Sequence, residues 1–235
     1  MSDTLLLLVG LGNPGPKHAK HRHNVGFLAV DAIAEAHGFG PPRAKFQGDL
    51  RDGAIGGRKA FILKPQTFMN LSGQAVGEAA RFYKIDPANI VVFHDELDLA
   101  AGKIRVKSGG GNAGHNGVES IADHIGPDFR RVRIGIGHPG DKLRVTGHVL
   151  GDFAKTDREW LEPLLAAIAA AAPALAESDA KFTSDVAQRL QPKPDKKPRS
   201  EAAPESPIPK PAAIDKGPSA NPFVQALQKI FPRKH

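Results

Sequence analysis

The order of apolar patterns predicts an α/β fold: a single domain in which a mixed, twisted β-sheet is sandwiched between helices in three layers (α/β/α). Three observations carry this. Leu5 to Leu8 and Val9 form an apolar run that opens into Gly10-Leu11-Gly12-Asn13-Pro14-Gly15, as a buried strand does when it reaches the carboxyl edge of a sheet. Extended and helical patterns then alternate along the chain, which requires helices on both faces of the strands. Residues 46–50 and 59–63 read as extended segments joined through Asp52-Gly53 and Gly56-Gly57, a hairpin signature that makes the sheet mixed.

The remaining elements follow in order. A helix is predicted over residues 24–37. Ser72 is placed to cap a second one running to Lys84, with Ala75, Val76, Ala79, Ala80 and Tyr83 at helical spacing. Residues 90–93 form a short buried strand, and residues 103–107 alternate basic and apolar side chains, a strand with one wet face. A helix over 116–124 and a strand over 131–136 come next. Residues 156–177 and 178–190 complete the body helically, and no internal repeat is visible.

Composition narrows the function classes. With 235 residues and 40% apolar content the chain can bury one good core. Its apolar stretches read as too short to cross a bilayer, and the acidic start Ser2-Asp3 argues against a signal peptide. There is no cysteine, which removes disulfides, thiolate nucleophiles and cysteine metal sites together and points to the cytoplasm. Of the net charge of +7, residues 191–235 hold +5, from nine Lys/Arg against four Asp/Glu, together with ten of the 20 prolines. The expected division is therefore a folded body, residues 1–190, and a Pro/Lys-rich disordered tail, residues 191–235. At the end of that tail Asn221 can cap a short helix with Phe223, Leu227, Ile230 and Phe231 on one face.

Gly10, Gly12 and Gly15 satisfy the dinucleotide fingerprint G-x-G-x-x-G. The context argues against a nucleotide cofactor: Pro14 and Pro16 bracket the third glycine, and the acids about 20 residues on, Asp31 and Glu35, fall inside a helical pattern. The glycines are better read as letting the backbone turn. A metal centre is disfavoured as well, since His18, His21 and His23 crowd a Gly/Pro-rich approach without a His-Glu-x-x-His helix or a late ligand pair. No serine stands in a G-x-S-x-G elbow, which leaves activated water as the nucleophile of a hydrolase.

Chemistry-bearing residues gather at four strand ends: Asn13 with His23; residues 64–70, holding Asn70; residues 94–98, holding Asp95; and residues 108–116, holding His115 and Asn116. His23 is the leading general base, with Asp95 a candidate to fix its tautomer. His115 is the rival base, a choice that distance in a structure decides. Asn13, Asn70 and Asn116 could converge on a carbonyl and its amide neighbours, or could each close a turn or cap a helix. Lys103, Arg105 and Lys107 share a strand face near Arg130, Arg131 and Arg133, and Gly109 to Gly111 permit close approach of a phosphate; this pattern suits a nucleic-acid backbone. With one tyrosine and one tryptophan, an extended base-stacking platform is not expected.

At this point a resemblance emerges. Val9-Gly-Leu-Gly-Asn-Pro-Gly15, Arg22-His-Asn-Val-Gly-Phe27, Thr67-Phe-Met-Asn-Leu-Ser-Gly73, His94-Asp-Glu-Leu-Asp98, Gly109-Gly-Gly-Asn-Ala-Gly-His-Asn-Gly117 and Arg131-Val-Arg-Ile-Gly-Ile-Gly-His-Pro-Gly140 occur in the register of the bacterial peptidyl-tRNA hydrolase family, which the chain resembles over residues 4–190. The resemblance implies a monomeric, metal-independent and cofactor-free enzyme that hydrolyses the ester between a peptidyl group and the 3′ end of tRNA. It implies His23 as base, Asp95 as its supporting carboxylate, and Asn13 as the group that tells a blocked from a free aminoacyl substrate. Asn70 and Asn116 would hold the peptide and the water or ester, Phe68 would line the peptide groove, and Lys103, Arg105, Lys107 and Arg133 would meet tRNA phosphates. His18 stands where the family commonly has tyrosine and becomes a substitute substrate contact. The competing class is a non-catalytic RNA-binding relative on the same fold, against which the joint presence of His23, Asp95 and the three asparagines argues.

Overall fold

The computed structural model describes residues 5–191, so the proposed tail and its terminal helix lie outside the described residues. The elements in chain order are β1 (Leu6–Gly10), α1 (Val25–Ala36), β2 (Arg43–Lys45), β3 (Gly48–Ile55), β4 (Arg58–Pro65), α2 (Ser72–Tyr83), β5 (Ile90–Glu96), β6 (Ile104–Ser108), α3 (Asn116–Ile125), β7 (Arg130–Gly135), α4 (Val145–Val149), α5 (Arg158–Ala171) and α6 (Asp179–Arg189). The strands form one seven-stranded sheet in the order β2-β3-β4-β1-β5-β7-β6. β4, β1, β5 and β7 run parallel, while β2-β3, β3-β4 and β6-β7 are antiparallel.

Alternation along the strands sorts the core into two layers. Leu6, Leu8, Ile62, Val91 and Phe93 face α1, α5 and α6, whereas Leu7, Val9, Leu63, Ile90 and Val92 face α2 and α3. Both sides of β1 and β5 are thus buried, which is why these strands read as continuous apolar runs and not as alternations. Glycines bring α1 down onto the central strands: a Cβ on Gly10 would lie 2.5 Å from the Gly26 carbonyl oxygen, and one on Gly26 only 2.2 Å from that of Phe93. The glycine at the end of β1 therefore serves close helix–strand packing.

Several expectations are corrected. The antiparallel part has two turns instead of one: Phe46 and Gln47 form the first, at φ 55° and 52°, and Gly56-Gly57 the second, at 55° and 77°. Phe46 is thus a turn residue, and a bulky one held in left-handed backbone. Asp52-Gly53 does not turn at all. It lies within β3, where Gly53 makes room for the ring of Phe39, since a Cβ would come within 2.7 Å of it. Ser72 does not cap α2; its hydroxyl donates to the Met69 carbonyl at 2.8 Å, and the cap position falls on Leu71. Residues 156–177 are not one helix, because α5 gives way to a 3₁₀ turn, Ala172–Ala176. The short α4 was not anticipated from the sequence.

Within the helical run Lys155–Ala176 an 18-residue window reaches a mean hydropathy of 1.3, longer than the apolar stretches expected from the sequence. Half of it is buried within the protein, where Leu161, Leu164, Ile168 and Leu175 pack into the α1 layer, the pattern of a core helix.

Candidate active site

Parallel strands that change direction of winding open a crevice at their carboxyl ends. Here β1 delivers Asn13 and the His23 turn to that crevice, β4 leads to Met69, β5 carries Asp95, and the loop after β6 brings His115 and Asn116. They line a cavity of about 270 Å³, walled on one side by Val145, Thr146, Val149 and Leu150 of α4 and its end.

Asp95 is the centre of the arrangement. β5 extends three residues beyond the predicted strand end, so that His94, Asp95 and Glu96 are all buried. Oδ1 of Asp95 lies 2.8 Å from His23 Nδ1 and 3.1 Å from His115 Nε2. Burial by itself would raise the Asp95 pKa, but electrostatic attraction from the His115 and His23 imidazoles and the hydrogen bonds they donate outweigh it and hold the carboxyl well below its usual range.

The two histidines lie at similar distances from Asp95 but differ in their hydrogen bonds. His115 is the N-cap of α3, and its Nδ1 accepts from the backbone N–H groups of Gly117 and Val118 at 3.2 and 3.3 Å. That lone pair is consumed, the ring proton is placed on Nε2, and Nε2–H donates to Asp95. His23 donates through Nδ1, which leaves Nε2 as a basic nitrogen on a ring that lines the cavity. Asn116 is accordingly the first residue of α3 and not its cap.

A single nitrogen or oxygen from each of His23, Asp95 and His115 lies within 4.8 Å of the other two, the spacing of a metal site. The donor set fits a cation poorly: with its Nδ1 accepting two backbone N–H groups, His115 keeps its proton on Nε2, the atom that would have to bind the metal.

Asn13 neither closes its own turn nor caps a helix. Its side-chain Oδ1 accepts the Met69 N–H at 3.0 Å, which leaves its amide donors for the cavity. Asn24 holds it there. The Asn24 side chain accepts the Asn13 N–H and donates to the Asn13 carbonyl, both at 2.9 Å. Sequence reasoning missed Asn24; the available signal was an asparagine at the N-cap position of α1 that follows the candidate base directly.

The other expected contacts divide. Asn116 is exposed and lines the cavity. Asn70 and Phe68 are exposed and do not line it, although they flank Met69, which does. His18 is also absent from the lining; its ring packs edge-on against His21 at 4.9 Å.

Antiparallel pairing sets Arg105 opposite Arg133 and Lys107 opposite Arg131, so their side chains share one sheet face, with Lys103 in line beside them. The side chains of Lys103, Arg105 and Lys107 are exposed and make no hydrogen bond or ion pair among the described residues. The arginines differ. Arg133 donates through Nε to Glu96 at 2.7 Å. Arg131 is buried and ties the carbonyls of Gly110 and Gly111 at 2.8 and 2.9 Å, while Arg130 pairs with Asp179. A second cavity of about 240 Å³ opens on this face, lined among others by Lys107, Arg133 and His94.

A three-layer α/β protein with a carboxylate-oriented imidazole and open amides at its strand ends, and exposed cations beside them, is of the hydrolase class. Comparison with known proteins identifies which hydrolases it is related to. A family profile described as peptidyl-tRNA hydrolase matches residues 7–197. The chain is 61% identical to the peptidyl-tRNA hydrolase of Parvibaculum lavamentivorans over 83% of this chain and 97% of that one, and 55% identical to that of Dinoroseobacter shibae over 92% and 91%. The crystal structure of the Acinetobacter baumannii peptidyl-tRNA hydrolase superposes with a TM-score of 0.73 at 42% identity, covering 79% of this chain and 95% of that one. The chain belongs to the peptidyl-tRNA hydrolase family.

Proposed function

We propose that this protein hydrolyses the ester linking a peptidyl group to the 3′ end of tRNA, with His23 as the general base. The observation that carries the reading is the asymmetry of the two histidines on Asp95. One has its remaining nitrogen locked under α3, and the other keeps a basic nitrogen on the cavity side. His23 Nε2 takes a proton from water as the oxygen attacks the ester carbonyl. The resulting imidazolium is stabilised by ionised Asp95 and returns the proton to the departing 3′ oxygen of tRNA as the tetrahedral intermediate collapses. Asn116 and Asn13 present amide donors to the developing oxyanion and to the peptide carbonyl. The esters concerned are intrinsically reactive, so an oriented water and a base suffice without a metal or cofactor.

Phe68 and Asn70 receive the peptide at the rim, and His18 meets substrate outside the cavity proper. Lys103, Arg105, Lys107 and Arg133 hold tRNA phosphates. The catalytic unit is residues 1–190, acting as a monomer in the cytoplasm without a membrane, and residues 191–235 are dispensable for chemistry.

The test compares N-acetyl-aminoacyl-tRNA with the matching free aminoacyl-tRNA, using the full chain and His23→Ala, with and without a chelator. The expected result is cleavage of the blocked ester alone, lost in the variant and indifferent to chelator. Tight tRNA binding without cleavage by either protein would instead establish the non-catalytic RNA-binding class.

A further inference from the structure

The second cavity contains more than cations. His94 forms part of its wall, is only 4% exposed, and is committed on one side: Nδ1 lies 2.7 Å from the Asp95 carbonyl oxygen, to which it donates. Its other nitrogen, Nε2, is buried without a hydrogen-bond partner among the described residues. Burial pushes the His94 pKa down to about 3, so the ring is neutral near pH 7 and Nε2 is purely an acceptor. Glu96 adds a second acceptor to the same wall, with one carboxylate oxygen already occupied by Arg133.

A site built for a bare phosphate presents donors only. This one sets a neutral acceptor beside Lys107 and Arg133, and a buried acceptor without a partner is costly unless a ligand supplies a donor. The group that joins a phosphate to a hydroxyl donor in a tRNA strand is the ribonucleotide, whose 2′-hydroxyl distinguishes RNA from DNA. We infer that the cavity between the β6–β7 face and the loop of Gly111 to Ala113 binds a ribonucleotide of the substrate, with its phosphate on Lys107 and Arg133 and its 2′-hydroxyl donating to His94 Nε2. The inference rests on the proposed tRNA-phosphate role of the basic face and adds to it a residue that reads sugar chemistry.

The experiment uses the full chain and a set of acceptor-stem RNA hairpins, each bearing 2′-fluoro at one position. Fluorine removes the hydroxyl donor while the helix stays A-form. His94→Asn is the matching variant, because the asparagine amide can still donate to the Asp95 carbonyl but does not reach the place of Nε2. One position is expected at which fluorine weakens wild-type binding about tenfold, equivalent to about 1.4 kcal/mol, and leaves binding by the variant unchanged. Lys107→Ala weakens binding of every hairpin alike. If no position shows this non-additivity while Lys107→Ala still weakens binding, the sugar contact is refuted and the phosphate reading stands. If Lys107→Ala has no effect either, the reading of the basic face fails as well. Should His94→Asn not fold, the ¹⁵N resonance of His94 Nε2 in the wild-type complex decides: a shift toward the hydrogen-bonded value with the all-ribose hairpin, absent with the fluorinated one, supports the contact, and an unmoved resonance overturns it.

Discussion

The crevice at the end of β1 and β5 and the face of β6 and β7 lie side by side and treat polar groups in opposite ways. In the crevice the key groups are tied down: Asp95 receives two imidazoles, His115 is held by two backbone N–H groups, and Asn13 is clamped by Asn24 and Met69. On the basic face the side chains of Lys103, Arg105 and Lys107 stand exposed without a hydrogen-bond or ion-pair partner among the described residues. The difference fits the two tasks proposed for them. A proton transfer needs one nitrogen in one tautomer at one place, and fixed neighbours supply that before substrate arrives. Attraction of a phosphate backbone needs charge that is not already neutralised, and long side chains can adjust to a strand without defined geometry.

The comparison breaks first at His23. His23→Ala is expected to lower kcat/KM for N-acetyl-aminoacyl-tRNA by about 10³-fold, within the range usual for a general base, with tRNA binding nearly unchanged. Pre-steady-state cleavage and equilibrium binding measured on the same preparation check this. A comparable loss in His115→Ala at unchanged fold would show that the tautomer argument has selected the wrong ring.

The basic face is expected to answer in the other currency. Lys107→Ala or Arg105→Ala should weaken whole-tRNA binding about tenfold at low salt and flatten the plot of log Kd against log salt by about one unit. Hydrolysis of a minimal N-blocked ester that lacks the tRNA body should be unchanged. Loss of minimal-ester cleavage would mean that the two regions are not separate.

Acid stability tests the buried groups, because His94 and Asp95 titrate differently in the folded and unfolded chain. The folded-state pKa of His94 is depressed to about 3 from the ordinary histidine value of 6.5. Between those limits the unfolded chain binds more protons, so stability falls as pH falls. The loss from pH 7 to pH 5 is about 2 kcal/mol for this one group. Asp95, also depressed, adds a further loss only below the ordinary carboxylate range. Urea unfolding at the two pH values is expected to show the His94 contribution in the wild type and a flatter dependence in His94→Asn. Identical slopes for the two proteins would contradict a neutral buried imidazole.

The sequence exposed the contents of the crevice better than its wiring. Strand-end residues announce themselves by type, so His23, Asp95, Asn13 and Asn116 could be named from the chain. Asn24 could not, because its role depends on contact with the Asn13 backbone eleven positions away, and local rules read an asparagine there as a helix cap. The first turn of the antiparallel part was hidden for a similar reason: Phe46 and Gln47 adopt left-handed backbone that their residue types do not advertise. Arg131 reads as one more member of the basic cluster because a strand pattern reports which face a residue takes, whereas its burial under the glycine loop is a tertiary outcome. α4 escaped because five residues are too few to display helical periodicity.

The smallest effect is expected from the tail, and it tests whether both regions belong to one unit. Residues 191–235 hold nine Lys/Arg against four Asp/Glu, a charge excess that attracts polyanions at long range but is screened within about 10 Å at 0.1 M salt. The crevice and the β6–β7 face draw their lining residues from positions 13–150. Removal of residues 191–235 should therefore leave minimal-ester hydrolysis within tenfold of the full chain, equivalent to less than about 1.4 kcal/mol in the barrier. With whole tRNA the two proteins should differ at low salt and converge as salt rises, since the tail acts through net charge and not through placed contacts. A larger loss on the minimal ester would show that the chemistry depends on the tail, and a difference on tRNA that persists at high salt would show that the tail makes contacts of its own.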